Sequence, residues 1–126
     1  MILAGMALAM FTLQSASMKP TATASFTWNR MEHNFGRIEQ NEPVVAEFKF
    51  ENSGTEPLMI LSAKGSCGCT VADYTKGEIL PGDYGTVSAT YDAAKPGTFH
   101  KTVTVTANIK GEPVILTVRG EVIARE

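Results

Sequence analysis

The chain has 126 residues, 44% of them hydrophobic and 19% charged. That balance fits one folded domain with a real core and excludes a disordered chain or a multi-domain enzyme. Eleven Lys and Arg against thirteen Asp and Glu leave a net charge of −2, with no two basic residues adjacent, so neither a nucleic-acid groove nor a polybasic membrane patch is expected.

Residues 1–18 carry no charged side chain, and 1–13 (MILAGMALAMFTL) form an apolar run of the length of a signal-peptide core. The run is shorter than the roughly 20 apolar residues a membrane span requires. Ser15, Ala16 and Ser17 supply the small residues of a cleavage site, no Lys or Arg precedes the run, and no Cys follows it to take a lipid. The expectation is a signal segment at 1–18, a short linker at 19–25 and a domain at 26–126. Such a protein is exported, periplasmic or cell-envelope associated, and touches no membrane beyond its signal segment.

The rest reads as strands. Residues 26–28 and 34–38 are short candidates, and Trp28 reads as a core plug beside the first of them. Within 44–51, Ala46, Phe48 and Phe50 share one face while Glu47, Lys49 and Glu51 share the other. Residues 58–63 and 70–72 follow. In 84–91, Val87, Ala89 and Tyr91 oppose Thr86, Ser88 and Thr90. The stretch 98–110 alternates Thr and Val, which suits a half-buried strand, placed at 99–107, better than a helix. His100 with Lys101 reads as its wet end. In 114–122, Val114, Leu116 and Val118 oppose Ile115, Thr117 and Arg119. A period of two marks a strand with one solvated face.

Turn residues separate these runs: Asn52-Ser53-Gly54, Pro81-Gly82-Asp83, Lys95-Pro96-Gly97 and Lys110-Gly111-Glu112-Pro113. The Asn52 side chain is placed to satisfy loose backbone groups at a strand end, and Gly111 to take a positive φ in a hairpin. Many short strands with regularly spaced turns predict an all-β sandwich of about seven antiparallel strands, one of the short runs being left free not to pair. There is no βαβ pattern, heptad or internal repeat. Prolines and charges such as Lys49 are expected to limit unwanted edge pairing.

The two cysteines, spaced Cys67-Gly68-Cys69, are the chemical punctuation. In a regular strand their Cα atoms would stand about 6.6 Å apart, too far for a disulfide unless Gly68 kinks the chain. Four readings compete. Cys67, Cys69 and Val71 could continue one buried strand face. The pair could form a small-ring disulfide, which export favours. Two thiolates could bind a metal, copper(I) best; zinc would need further ligands, and His33 and His100 are the only histidines. The pair could also bond another molecule, although the spacing is neither that of a thioredoxin motif nor that of a haem attachment site. No other metal or cofactor motif is present, and no nucleophile elbow, phosphate loop, HExxH or calcium loop. Asp73, Asp83 and Asp92 sit at turn positions, where bonding to nearby backbone is expected rather than acid–base chemistry. His33 reads as a strand-edge residue.

An ordered set of segments then carries a family resemblance. It comprises His33-Asn34-Phe35-Gly36-Arg37-Ile38, Asn52-Ser53-Gly54, Leu58-Met59-Ile60, Cys67-Gly68-Cys69-Thr70, Leu80-Pro81-Gly82, the run from Gly97 through Val103, and Leu116-Thr117-Val118-Arg119-Gly120. The set resembles the exported bacterial family of unknown function numbered 1573, with Asn34 standing where an acidic residue is more usual. It covers nearly all of 26–123. The resemblance implies an immunoglobulin-like sandwich, similar in plan to hydin-type and major-sperm-protein-type domains, and brings no catalytic residues with it. The resulting expectation is a non-enzymatic, exported interaction or scaffold module, without a cofactor, that binds a protein partner of the cell envelope by a sheet face or strand edge. The alternative is a small envelope protein using Cys67 and Cys69 for copper or zinc binding or for thiol redox chemistry.

Overall fold

In the computed structural model the described residues are 23–125. The expected signal segment at 1–18, and most of the linker after it, lie outside them. Nine strands follow in chain order: β1 (Phe26–Trp28), β2 (Glu32–Glu39), β3 (Val44–Asn52), β4 (Leu58–Gly65), β5 (Thr70–Tyr74), β6 (Glu78–Ile79), β7 (Tyr84–Tyr91), β8 (Gly97–Ala107) and β9 (Val114–Ile123). Among the described residues there is no helix. The strands build one sheet in the order β1-β3-β7-β5 and a second in the order β2-β9-β8-β4-β6, so the expected all-β immunoglobulin-like sandwich is what the chain forms.

The alternation seen in the sequence is the reason. Ala46, Phe48 and Phe50 of β3 and Val87 and Ala89 of β7 point inward from one sheet. Leu58 and Ile60 of β4, Val103 and Val105 of β8, and Leu116 and Val118 of β9 point inward from the other, and all of these are buried. Each of the Phe, Leu, Ile and Val side chains among them contributes about 1.5–3 kcal/mol by leaving water. Trp28 is half-buried against this core, with its ring centroid 4.9 Å from those of both Phe26 and Phe50. A smaller cluster of Tyr91, Ala93, Phe99 and Val122 closes one end; Tyr91 and Phe99 stack there with centroids 4.0 Å apart.

Three details depart from the sequence expectation. Among the described residues the strands number nine, the two-residue β6 being counted because it pairs with Leu58 and Met59. One pairing is parallel: β2 runs alongside β9 with Glu32 opposite Thr117 and Glu39 opposite Ile123, interrupted by a bulge between Asn34 and Arg37. Gly36 supplies that bulge with a φ of 71°, a conformation costly for a side chain with a Cβ. Lys49 guards no edge, because β3 lies between β1 and β7. The prolines from Pro43 onward sit in connections outside the strands.

The chain changes sheets between β1 and β2. Asn29 to Met31 make the crossing, and Arg30 pins it. Its guanidinium donates to the Glu47 carbonyl at 2.8 Å and to His33 Nδ1 at 2.9 Å. Arg119–Glu32 at 2.7 Å and Arg37–Glu121 at 3.4 Å then lace β2 to β9 on the surface. Exposed pairs of this kind contribute roughly 0.2–1 kcal/mol each.

Candidate functional site: the Cys67–Cys69 turn and the flank beside it

Four residues, 66–69, turn the chain from β4 in one sheet to β5 in the other. The turn is fixed by its backbone. Ser66 N donates to Thr102 O at 2.8 Å, Thr70 N to Cys67 O at 3.2 Å and Asp92 N to Cys69 O at 3.0 Å. Thr102 N returns a bond to the Ser66 hydroxyl at 3.1 Å. At β4's end, Gly65 is needed for a close approach: a Cβ there would meet the Thr70 carbonyl oxygen at 2.2 Å.

Within this turn the Cα atoms of Cys67 and Cys69 stand 5.2 Å apart and their sulfurs are in bonding contact. The kink at Gly68 removes the extended separation that a strand would impose. The strand-face reading of the pair fails on Val71, which is 65% exposed and points away from the core. Both cysteines are half-buried, and Cys69 packs against the smaller cluster. Closing a loop over one intervening residue contributes about 1.5 kcal/mol through chain entropy, so this bridge is a weak staple.

A recess of about 450 Å³ opens beside the bridge, bordered by Tyr91, Asp92, Ala94, Lys95 and Lys101. The Asp92 carboxylate accepts the Ala94 N–H at 3.1 Å. Burial first, and the Asp92 charge second, push the Tyr91 phenol up from its ordinary value and keep it protonated. Lys101 belongs to the recess and not to a wet strand end: His100 is exposed, whereas Lys101 is half-buried at an inward position.

The other residues singled out by the sequence do not gather here. His33 stands in β2, two strands from Lys101 in the same row of the sheet through Val118, its ring 4.6 Å from Phe35 and hydrogen-bonded to Arg30. Burial, and then the Arg30 charge, lower its pKa. His100 lines a shallow groove over β2, β8 and β9 with Arg37 and Arg119, whose guanidiniums are already paired. Among the described residues no three or more of His, Cys, Asp and Glu form a metal-holding group, and two sulfurs bonded to each other present no thiolate pair to a metal. Asp73 and Asp92 bond to nearby backbone, Asp73 Oδ1 taking the Tyr74 N–H at 2.9 Å.

The flank along β4 and β5 has open strand edges. Beyond Met59, β4 pairs only with β8, and β5 pairs only with β7. Thr75 N bonds to Thr86 O and Asp92 N to Cys69 O, so the odd positions of β5 face β7 and the Ala72 backbone is directed outward. Leu61, 56% exposed, and Val71 stand on this flank. Sequence reasoning did not reach it, because which strands end a sheet depends on pairings remote in the chain.

The comparisons agree on the architecture. The model of the family described as "Protein of unknown function (DUF1573)" matches residues 26–122. No curated protein matches the chain. A protein of unknown function from Porphyromonas gingivalis superposes with a TM-score of 0.70 at 17% identity; the match covers 86% of this chain and 51% of that one, about half its length. The ASH/PapD-like domain 7 of human CEP192 superposes at 0.64 with 16% identity, covering 87% of this chain and 93% of that domain. The Vibrio cholerae VesB protease is similar over 32% of its own chain, with a TM-score of 0.59 and 17% identity. With its family match spanning the sandwich from β1 into β9, this chain belongs to the DUF1573 family and is built as an immunoglobulin-like domain of PapD-like form.

Proposed function

We propose that this domain is a non-enzymatic, exported contact module of the bacterial cell envelope, which binds an extended segment of a protein partner along the β4/β5 flank. The observation that carries the reading is the open edge of β5, with the outward Ala72 backbone between exposed Leu61 and Val71. An added strand would satisfy backbone groups that the sandwich leaves to water, and the two apolar side chains would give it register. Asp73 and Tyr74 make the edge selective. Asp73 already caps the Tyr74 amide, and the Tyr74 hydroxyl donates to the Leu61 carbonyl at 3.3 Å, so an incoming strand has a short free stretch to pair with. The apolar leader at 1–13 supports export.

The test is site-specific photocrosslinking in cells from position 71, compared with the β3 position 51 on the other half of the same sheet. A discrete adduct from 71, absent from 51 and abolished by Ala72→Pro, is expected, because proline removes the outward donor while leaving the pairing to β7 intact. Equal adducts from both positions, or an adduct that Ala72→Pro leaves untouched, would reject edge pairing. Fractionation of the same cells should find the protein outside the cytoplasm.

A further inference from the structure

Lys101 breaks the pattern of its own strand. The residues of matching parity on β8, Phe99, Val103 and Val105, are buried, and Lys101 stands opposite buried Val118 of β9. A lysine at such a register keeps its ammonium wet by running its stem along apolar surface to the nearest opening. That opening is the recess beside Cys67 and Cys69, which Lys95 also borders. Among the described residues neither lysine takes part in an ion pair.

A second group addresses the sulfurs directly. Thr70 is buried, and its hydroxyl lies 3.7 Å from Cys67 Sγ and 4.0 Å from Cys69 Sγ. A hydroxyl so placed donates to either sulfur once that sulfur carries charge. The turn holding the pair is meanwhile fixed by the bonds from Ser66, Thr70 and Asp92, none of which involves the sulfurs. The bridge can therefore open without dismantling the turn.

We propose that Cys67–Cys69 is a thiol–disulfide exchange site whose substrate is a dithiol, with Lys101 and Thr70 stabilising the sulfur that leaves. A thiolate of the dithiol attacks one Sγ and forms a mixed disulfide. The Cys67–Cys69 bond breaks, and its electron pair departs on the other sulfur as a thiolate beside the ammonium and the hydroxyl. The dithiol's second thiol loses its proton and attacks its own sulfur in the mixed disulfide. That attack expels the remaining cysteine as a thiolate, which takes up the proton. Two electrons and one proton pass to the pair, the first-expelled cysteine staying a thiolate beside the ammonium and the hydroxyl, and the dithiol leaves as a disulfide. The run in reverse oxidises the pair. Asp92 and Tyr91 also face the recess; the phenol stays neutral, and the one carboxylate, bonded to the Ala94 amide, is outnumbered by the two lysines, which leaves the recess with a net positive charge. The proposal does not rest on edge binding by β5, and its test reads neither a partner nor a crosslink.

The full-length protein is treated with dithiothreitol at pH 7, quenched with a maleimide and weighed, while circular dichroism follows the fold. Two added maleimides with the strand spectrum unchanged are expected. The pH dependence of iodoacetamide alkylation of the reduced protein should place its more acidic thiol at least about one unit below the ordinary value near 8.5. Lys101→Gln should raise that value by about one unit and slow reduction several-fold, Lys101→Arg should restore both, and Lys110→Gln should change neither. Should Lys101→Gln lose the strand spectrum, Thr70→Val supplies the same readout and is expected to shift it upward. Labelling that appears only after denaturation overturns the proposal. So does a thiol at or above the ordinary value, or one that neither variant moves.

Discussion

Asn52 shows how much a single polar side chain can carry. It is fully buried, yet its amide donates to the Glu56 and Ile79 carbonyls at 2.8 and 2.9 Å and its oxygen accepts the Gly54 and Ser25 amides at 3.0 and 3.4 Å. Truncation would strand these partners, at about 1–3 kcal/mol for each group left without water. Asn52→Ala is expected to lose about 2–4 kcal/mol in a urea melt, whereas Ser53→Ala, on an exposed neighbour, should lose under about 0.5 kcal/mol. This role was legible in the sequence because Asn-Ser-Gly after an alternating run announces a strand end. Lys101 was equally available as a charge inside the Phe99, Val103, Val105 alternation, but adjacency to His100 masked its parity. His33 gives a pH prediction. Its folded pKa lies below its ordinary value, mainly through burial and then through Arg30, so the unfolded chain binds the proton more readily. Stability from this group is fully present above about pH 6.5 and is lost as pH falls below it. A proton-resonance titration should find His33 more acidic than a free histidine, and Arg30→Gln should recover only the smaller part of the difference. An unshifted His33 would contradict the Arg30 contact.

At the scale of elements, strong alternation made β3, β7, β8 and β9 readable with ends within a residue or two. β6 was not readable: Glu78–Ile79 is too short for any period, and only its pairing to Leu58 and Met59 makes it a strand. The Cys67–Cys69 turn was half readable, since Gly68 advertised a kink but nothing in the sequence placed Tyr91, Asp92 and Lys101 around it. The bulge in β2 carries its own prediction. Gly36→Ala meets no steric obstacle, with nothing within 4 Å of a Cβ, so its cost is conformational alone, about 1–2 kcal/mol. Gly85→Ala is the contrasting case in β7. There a Cβ would stand 2.5 Å from Phe50 Cζ and 2.8 Å from Ile79 Cδ1, and overpacking of about 1–3 kcal/mol is expected with no backbone penalty. Chemical denaturation of the two variants, read against the packing change in near-ultraviolet circular dichroism, separates the mechanisms: only Gly85→Ala should alter the aromatic signal.

For the whole molecule, the two sheets share one core, and the pairings that close it join residues far apart in sequence: Glu32 with Thr117, Leu58 with Ile79. Such topology predicts refolding in milliseconds to seconds as a single cooperative transition. Stopped-flow traces by Trp28 fluorescence and by far-ultraviolet circular dichroism should coincide; separate rates would mean that the sheets form independently. The sandwich class was legible because a period of two needs no knowledge of partners. Strand order, the sheet switch at Arg30 and the parallel partner of β2 were not, because each is decided by contacts across the fold.

That parallel pairing has a mechanical meaning. The leading end of β2 and the trailing end of β9 point to opposite poles of the sandwich, so tension drawn between those two strand ends, once the three rungs holding β1 to β3 have given way, slides one strand along the other. The rungs from Glu32 to Glu39 then resist together, with the Gly36 bulge as their one interruption, and the domain holds as a clasp under pull.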